Sequence, residues 1–332
     1  MQFSGGPLAN PPTCLTFVAM QFPDEILYGR ILVTGANGLL GQALVRNLSS
    51  HPRYDVLATG RQQRPVFAPS NCGYVRMDLT KAHEVRQVFE SFAPTCVVNC
   101  AAMTQVDDCE RERELCWITN VDAVETLSRL CWSTGCKLVQ VSTDFVFDGD
   151  HGPYKETDRP APVSFYGKSK LAAENILRES SLDKWAIART VLVFGAEPGL
   201  SRNNIALWVQ RELENGRPIR IVGDQYRSPT FNVDLANGIE LILRYGASGI
   251  FHLSGPELLS VHEFAVRLAQ VCGLDAGLIT ETDSATLNQT ARRPPTTGFV
   301  LDKARRVLGY APHDLDSAIR LFAQRLLDTT NN

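Results

Sequence analysis

From Arg30 onward, short apolar runs alternate with stretches whose apolar residues recur every three to four positions. Residues 31–33 form an apolar run, and after a glycine-rich turn Leu39, Leu40, Ala43, Leu44 and Leu48 share one helical face. The same reading predicts strands over 56–58, 74–77, 96–100, 137–141, 185–193, 219–222 and 249–253. It predicts helices over 82–92, 121–132, 166–178, 204–214 and 233–243. Strands that are apolar on both sides and separated by helices belong to a parallel sheet, because a parallel pair needs a crossover and the crossover is a helix. The expected class is therefore α/β, a doubly wound parallel sheet with a smaller C-terminal substrate-binding domain built from insertions. Residues 30–190 and about 219–253 are expected to form the dinucleotide-binding part, with about 191–218 and 254–330 forming the substrate part. Residues 1–29, with Gly5, Gly6, Pro7, Pro11 and Pro12, read as a disordered arm that leaves Met20 as an alternative start.

Composition narrows the partners. A chain of 332 residues that is 44% hydrophobic and 21% charged reads as a soluble globular protein. A net charge of -3 gives no electrostatic reason to expect nucleic acid. No apolar run approaches the length needed to span a bilayer, and the segment 14–20 lacks the basic flank of a signal peptide. The nine cysteines form no C-x-x-C pair, so the expectation is reduced thiols in the cytosol, with no metal site.

Three local patterns carry chemistry. Gly35, Gly38 and Gly41 recur every third residue between a strand and a helix, where glycine allows a tight turn and close approach of a pyrophosphate to the free amides of the helix. The second strand ends in Thr59-Gly60-Arg61 with no acidic residue for a ribose hydroxyl, and Arg61 suits a 2′-phosphate. NADP(H) is thus preferred to NAD(H), although Arg61 reads almost as well as a solvated loop arginine. Tyr166 and Lys170 stand one helical turn apart, a spacing that lets an ammonium favour the phenolate left when a tyrosine gives up its proton. Ser142-Thr143-Asp144 follows an apolar strand, at the carboxyl end where open α/β sheets bind ligands. Each pattern has a plainer alternative, respectively a tight turn, a surface pair and a helix cap. Their order along the chain favours a site.

Together these segments resemble the extended short-chain dehydrogenases, and within them the dTDP-4-dehydrorhamnose reductase family. The likeness runs from Ile31 to about Tyr310 and includes TGANGLLG (34–41), MDLT (77–80), NCAAMTQVDDCE (99–110), STDFVFDG (142–149) and PYKE (153–156). It continues through YGKSKLAAE (166–174), DQYRSPT (224–230) and ARRPPTTGFVLDKARRVLGY (291–310). The resemblance implies that Tyr166 donates a proton, that Lys170 holds the nicotinamide ribose and tunes Tyr166, and that Thr143 binds a keto oxygen. Asn120 would support Lys170 through water. Asn37, Leu39, Asp78, Leu79, Ala101, Ala102 and Thr104 would join the glycines in the cofactor cleft. On the substrate side, Asp144, Asn204, Arg227, Arg292 and Arg293 would meet a sugar nucleotide, the arginines at its diphosphate, where each reads equally as a surface charge.

One departure concerns specificity. Where that family commonly has a tryptophan against the sugar, this chain has Val191-Leu192-Val193. Asn204-Ile205 and Thr297-Gly298 likewise depart from its usual pairs. The implied activity is NAD(P)H-dependent reduction of dTDP-4-dehydro-L-rhamnose. Another sugar nucleotide, acted on by a reductase or an epimerase, stays open. So do a regulatory subunit like that of methionine adenosyltransferase, a redox sensor that binds only the dinucleotide, and a homodimer.

Overall fold

A computed structural model describes residues 29–67, 69–200, 204–287 and 289–330. The expected N-terminal arm and Met20 lie outside them. Thirteen strands occur in chain order among the described residues: β1 (Arg30–Thr34), β2 (Asp55–Gly60), β3 (Cys72–Arg76), β4 (Cys96–Asn99), β5 (Lys137–Thr143), β6 (Trp185–Thr190), β7 (Val193–Phe194), β8 (Ile219–Val222), β9 (Tyr226–Arg227), β10 (Thr230–Phe231), β11 (Gly249–His252), β12 (Leu259–Ser260) and β13 (Ile279–Thr282). The helices are α1 (Leu39–Ser49), α2 (Ala82–Phe92), α3 (Val106–Arg111), α4 (Arg113–Trp117), α5 (Ala123–Thr134), α6 (Phe165–Glu179), α7 (Ile205–Glu214), α8 (Asn232–Arg244), α9 (Val261–Val271), α10 (Asp302–Leu308) and α11 (Leu315–Thr330).

Seven strands pair in the order β11-β6-β5-β4-β1-β2-β3, all parallel. The order reverses between β1 and β4, so a crevice opens there at the carboxyl ends of the strands. Side chains alternate across the sheet as the two-residue period of a strand requires. Ile31 and Val33 join one core with Leu44, Phe147, Ile239 and Leu253, while Leu32 joins another with Val97, Leu127, Leu138 and Ile187. Helices thus cover both faces, as a parallel sheet demands. No helix among the described residues is long and apolar enough to cross a membrane.

Two strands differ from the sequence reading. The run expected over 185–193 ends at Thr190, because Leu192 takes a left-handed φ of 37° and turns the chain out of the sheet. Val193 and Phe194 then pair with β10 instead. Residues 219–222, expected with the dinucleotide-binding part, pair with β13 in a separate two-stranded sheet. Ile219 and Ile221 bury against Phe264, Leu268 and Phe322 in a third core, which also holds Phe194 and Phe231. Its aromatic rings meet at centroid distances of 5.2–6.2 Å, close enough to pack as one cluster.

Candidate active site

The glycine turn follows β1 directly into α1. Gly35 has φ +65°, and a Cβ there would lie 2.8 Å from the Ala101 nitrogen. A Cβ on Gly41 would lie 2.2 Å from the Gly35 carbonyl oxygen. Only glycine fits either position. Gly38 begins α1 with no side-chain cap, leaving first-turn amides for an anion. This cradle fits a dinucleotide pyrophosphate.

Other expected cofactor residues surround it unequally. Asn37 is committed within the protein: its Nδ2 donates to Gln62 and, at 3.3 Å, to the Tyr74 hydroxyl, while its Oδ1 accepts from the Val66 nitrogen at 3.0 Å. It pins the segment after β2 over the glycine turn. Arg61 is exposed at the end of β2. Burial pushes the Asp78 carboxyl up, but two hydrogen bonds from Thr80, at 3.0 and 2.8 Å, together with the charges of Arg61 and Lys81 hold it below the usual range. Leu79 packs its side chain in the core beside Leu32 and Val97. Leu39, Ala101 and Ala102 are partly buried, and Thr104 is exposed.

Thr143, Tyr166 and Lys170 come together at the ends of β5 and α6. Ser164 starts α6 by accepting from the Gly167 nitrogen at 3.1 Å, which fixes where the first turn falls and so where Tyr166 points. Tyr166 is buried, edge-on to Phe145 at 5.7 Å, and burial pushes its hydroxyl above the ordinary phenol range against an opposing hydrogen bond with Thr143. Lys170 is also buried, and its Nζ donates to the Val141 carbonyl at 2.7 Å. Burial brings its ammonium down to about 8, against the opposing attraction of Glu174.

Asn120 lies in a π-helical turn, Ile118–Asp122, between α4 and α5. Its amide clasps the Met103 backbone at both ends, at 2.8 and 3.0 Å, and reaches the Ser169 hydroxyl at 3.0 Å, next to Lys170.

The structure adds groups that sequence reasoning missed. Ser142 donates to Glu174 at 2.6 Å, and Glu174 pairs with Arg189 through two contacts at 2.9 and 2.6 Å. The signal was present: a charged residue inside an otherwise apolar strand such as β6 requires a buried partner. Thr297 was read as a family departure, yet its hydroxyl donates to Asp144.

The expected substrate residues divide. Asp144 is buried beside Thr143, and burial raises its carboxyl despite Arg227 and two hydroxyl donors. Asn204 caps α7, its Oδ1 accepting from Ala206 and Leu207 at 3.2 and 3.3 Å and its Nδ2 donating to Gly195 at 2.8 Å. Those bonds occupy the side chain expected at the sugar. Arg227, expected at the diphosphate, is instead 3% exposed and turned inward among carbonyls. Arg293 pairs with Asp107 at 2.7 Å, whereas Arg292 is exposed.

Residues 29–327 match the model of the RmlD substrate binding domain. A dTDP-4-dehydrorhamnose reductase of Aggregatibacter actinomycetemcomitans is 32% identical over 306 residues, covering 88% of this chain and 97% of its own. Methionine adenosyltransferase 2 subunit beta of Danio rerio is 34% identical over 280 residues, covering 82% and 83% respectively. The crystal structure of dTDP-4-dehydrorhamnose reductase from Bacillus anthracis in complex with NADP superposes with a TM-score of 0.78 at 28% identity, covering 89% of this chain and 98% of that one. With its match running over residues 29–327, the chain belongs to the RmlD substrate binding domain family.

Proposed function

We propose that this protein is an NAD(P)H-dependent reductase of a 4-keto sugar nucleotide, with dTDP-4-dehydro-L-rhamnose as substrate and dTDP-L-rhamnose as product. The observation that carries the reading is the convergence of buried Tyr166, Lys170 and Thr143 beside a glycine turn that leaves the first-turn amides of α1 without a side-chain cap. A reduced nicotinamide would supply hydride to the keto carbon. Tyr166, kept protonated by its surroundings, gives its proton to the developing alkoxide. Lys170 holds positive charge behind that phenol and offers it to a ribose, while the Thr143 hydroxyl orients the oxygen being reduced. Arg61 supports a preference for NADPH over NADH, and the exposed Arg292 supports contact with a diphosphate. The smaller Leu192, where the family commonly has tryptophan, supports a wider sugar pocket.

The test is oxidation of NADPH and of NADH by purified protein with dTDP-4-dehydro-L-rhamnose. Turnover faster with NADPH is expected. Cofactor binding without turnover on this or any other keto sugar nucleotide would overturn the reading. It would favour the regulatory alternative that the methionine adenosyltransferase relative supports, to be checked by co-purification with a synthetase subunit.

The state of Lys170 sets a pH dependence. In free enzyme its ammonium loses its proton near about 8, so the charge behind Tyr166 is present below that pH and lost above it. Accordingly kcat/KM should fall as pH rises through about 8, and Lys170→Arg should move that limb upward by at least a unit. A flat profile to pH 10 or so would remove Lys170 from the mechanism.

A further inference from the structure

Asp144 stands between the reducing pair and the C-terminal segment, and its carboxylate is shared between them. Thr143 donates to Oδ1 at 3.0 Å, Thr297 donates to Oδ2, and Arg227 Nε lies 3.7 Å from Oδ2. The remaining guanidinium nitrogens of Arg227 are used within the protein. Nη1 donates to the carbonyls of Tyr226 at 2.7 Å and Pro295 at 3.0 Å, and Nη2 donates to that of Pro294 at 2.7 Å. Its carbon Cζ lies 5.7 Å from the centre of the Phe145 ring, the same ring that meets Tyr166 edge-on.

The segment carrying these carbonyls is stitched on both sides. The Tyr226 nitrogen donates to Pro295, the Thr297 nitrogen donates to Tyr226, and the Thr296 nitrogen donates to Gly149. Arg227 therefore lies where β9, residues 294–297 and the end of β5 meet.

A hydroxyl has a single proton. While Thr143 gives that proton to Asp144, its oxygen is left to accept, and it faces both the Phe145 nitrogen at 3.3 Å and the Tyr166 hydroxyl. The charge on Asp144 thus sets the direction of the Thr143 proton, for which a keto oxygen would compete. An isolated carboxylate at this depth would take up a proton, and Arg227 is the cation beside it that opposes this.

We propose that Arg227 is a positioning residue of the reducing site, holding the Asp144 carboxylate and through it the direction of the Thr143 hydroxyl when residues 294–297 are docked. This rests on the reductase reading above. A role as diphosphate ligand would require the guanidinium to abandon the carbonyls of Tyr226, Pro294 and Pro295.

Three variants test it: Arg227→Met, Asp144→Asn and the two combined. Asparagine keeps an oxygen for Thr143 and offers an amide to Thr297, so the neutral network closes without a cation. Arg227→Met should lower kcat about 30-fold or more while KM for the keto sugar nucleotide and Kd for dTDP stay within about 3-fold. The double variant should recover to within about 5-fold of Asp144→Asn alone. A tenfold or greater loss of dTDP affinity at unchanged kcat would make Arg227 a phosphate ligand and overturn the proposal. A double variant no better than Arg227→Met would do the same.

Melting provides a readout without substrate. The groups facing Asp144 are Thr143 from β5, Tyr166 from α6, Arg227 from β9 and Thr297 from the docked segment. Without Arg227 the buried carboxyl stays protonated in the fold but ionises in the unfolded chain, so the fold binds more protons and loses stability as pH rises. Arg227→Met should therefore lose melting temperature between about pH 5.5 and 8 more steeply than the wild type, and the double variant should not. Parallel melting curves for the single and double variants would overturn the coupling. The expected melting pattern with no turnover by the wild type would support the coupling while sinking the reductase reading.

Discussion

Tyr166→Phe is expected to lower kcat with a keto sugar nucleotide by about 100-fold to 10,000-fold, the usual worth of a positioned general acid. That range corresponds to about 2.7–5.5 kcal/mol of transition-state stabilisation. The substitution removes one oxygen and little else. The ring is buried, its edge contact with Phe145 at 5.7 Å does not involve the hydroxyl, and Ser164 sets the start of α6 independently. Fold and cofactor affinity should consequently survive, with Kd for NADPH within about 3-fold of the wild type by fluorescence titration. A kcat within a few-fold of the wild type would show that another group delivers the proton. Loss of cofactor affinity in parallel with kcat would show instead that the hydroxyl serves binding.

The second large effect falls on stability. Arg189→Met should destabilise the fold by about 3–5 kcal/mol, because it leaves Glu174 charged and unpaired in the interior. Arg189 and Glu174 have side-chain exposures of 1% and 0%, and two hydrogen bonds join them in a fork geometry. The guanidinium also lies over Phe147 at 5.1 Å and meets His252 at 3.4 Å, while burial and Arg189 hold that imidazole well below its usual range. Against a typical total of about 5–15 kcal/mol this is a large fraction. By contrast the exposed pair of Arg129 with Glu125 should be worth only about 0.3–0.5 kcal/mol. Replacing both partners by apolar residues should recover much of the loss, since no charge is then stranded. Urea unfolding of the single and double variants checks this, and a single variant as stable as the double would refute it. Because Glu174 also receives the Ser142 hydroxyl, the same pair steadies the strand end that carries Thr143.

The legible part of the molecule follows rules that act over a few residues. Apolar runs at two-residue and helical periods located all seven strands of the main sheet, and 82–92 was predicted to the residue. The glycine turn was legible because its requirement is local: a left-handed φ at Gly35 and no room for a Cβ at Gly41. Thr143, Tyr166 and Lys170 were singled out by their order along the chain and the family resemblance, and the parallel sheet brings the end of β5 and the start of α6 to one edge.

Short elements were missed where no period can establish itself, as in α3, α4 and the π-helical turn that holds Asn120. Other features depend on what lies across the fold. Residues 219–222 read as a strand, but only the third core decided that the partner is β13 and not the main sheet. A charged side chain has no fixed destination until its surroundings exist. Arg227 meets the Pro294 carbonyl 67 residues away, and Asp144 meets Thr297 at a separation of 153. By itself the sequence determined the sheet and the glycine turn and marked Thr143, Tyr166 and Lys170 as candidates, since propensity, period and steric exclusion act along the chain. Tertiary structure alone decided that Arg227 turns inward to a carboxylate, because the cost of burying a charge depends on the partners that folding brings to it.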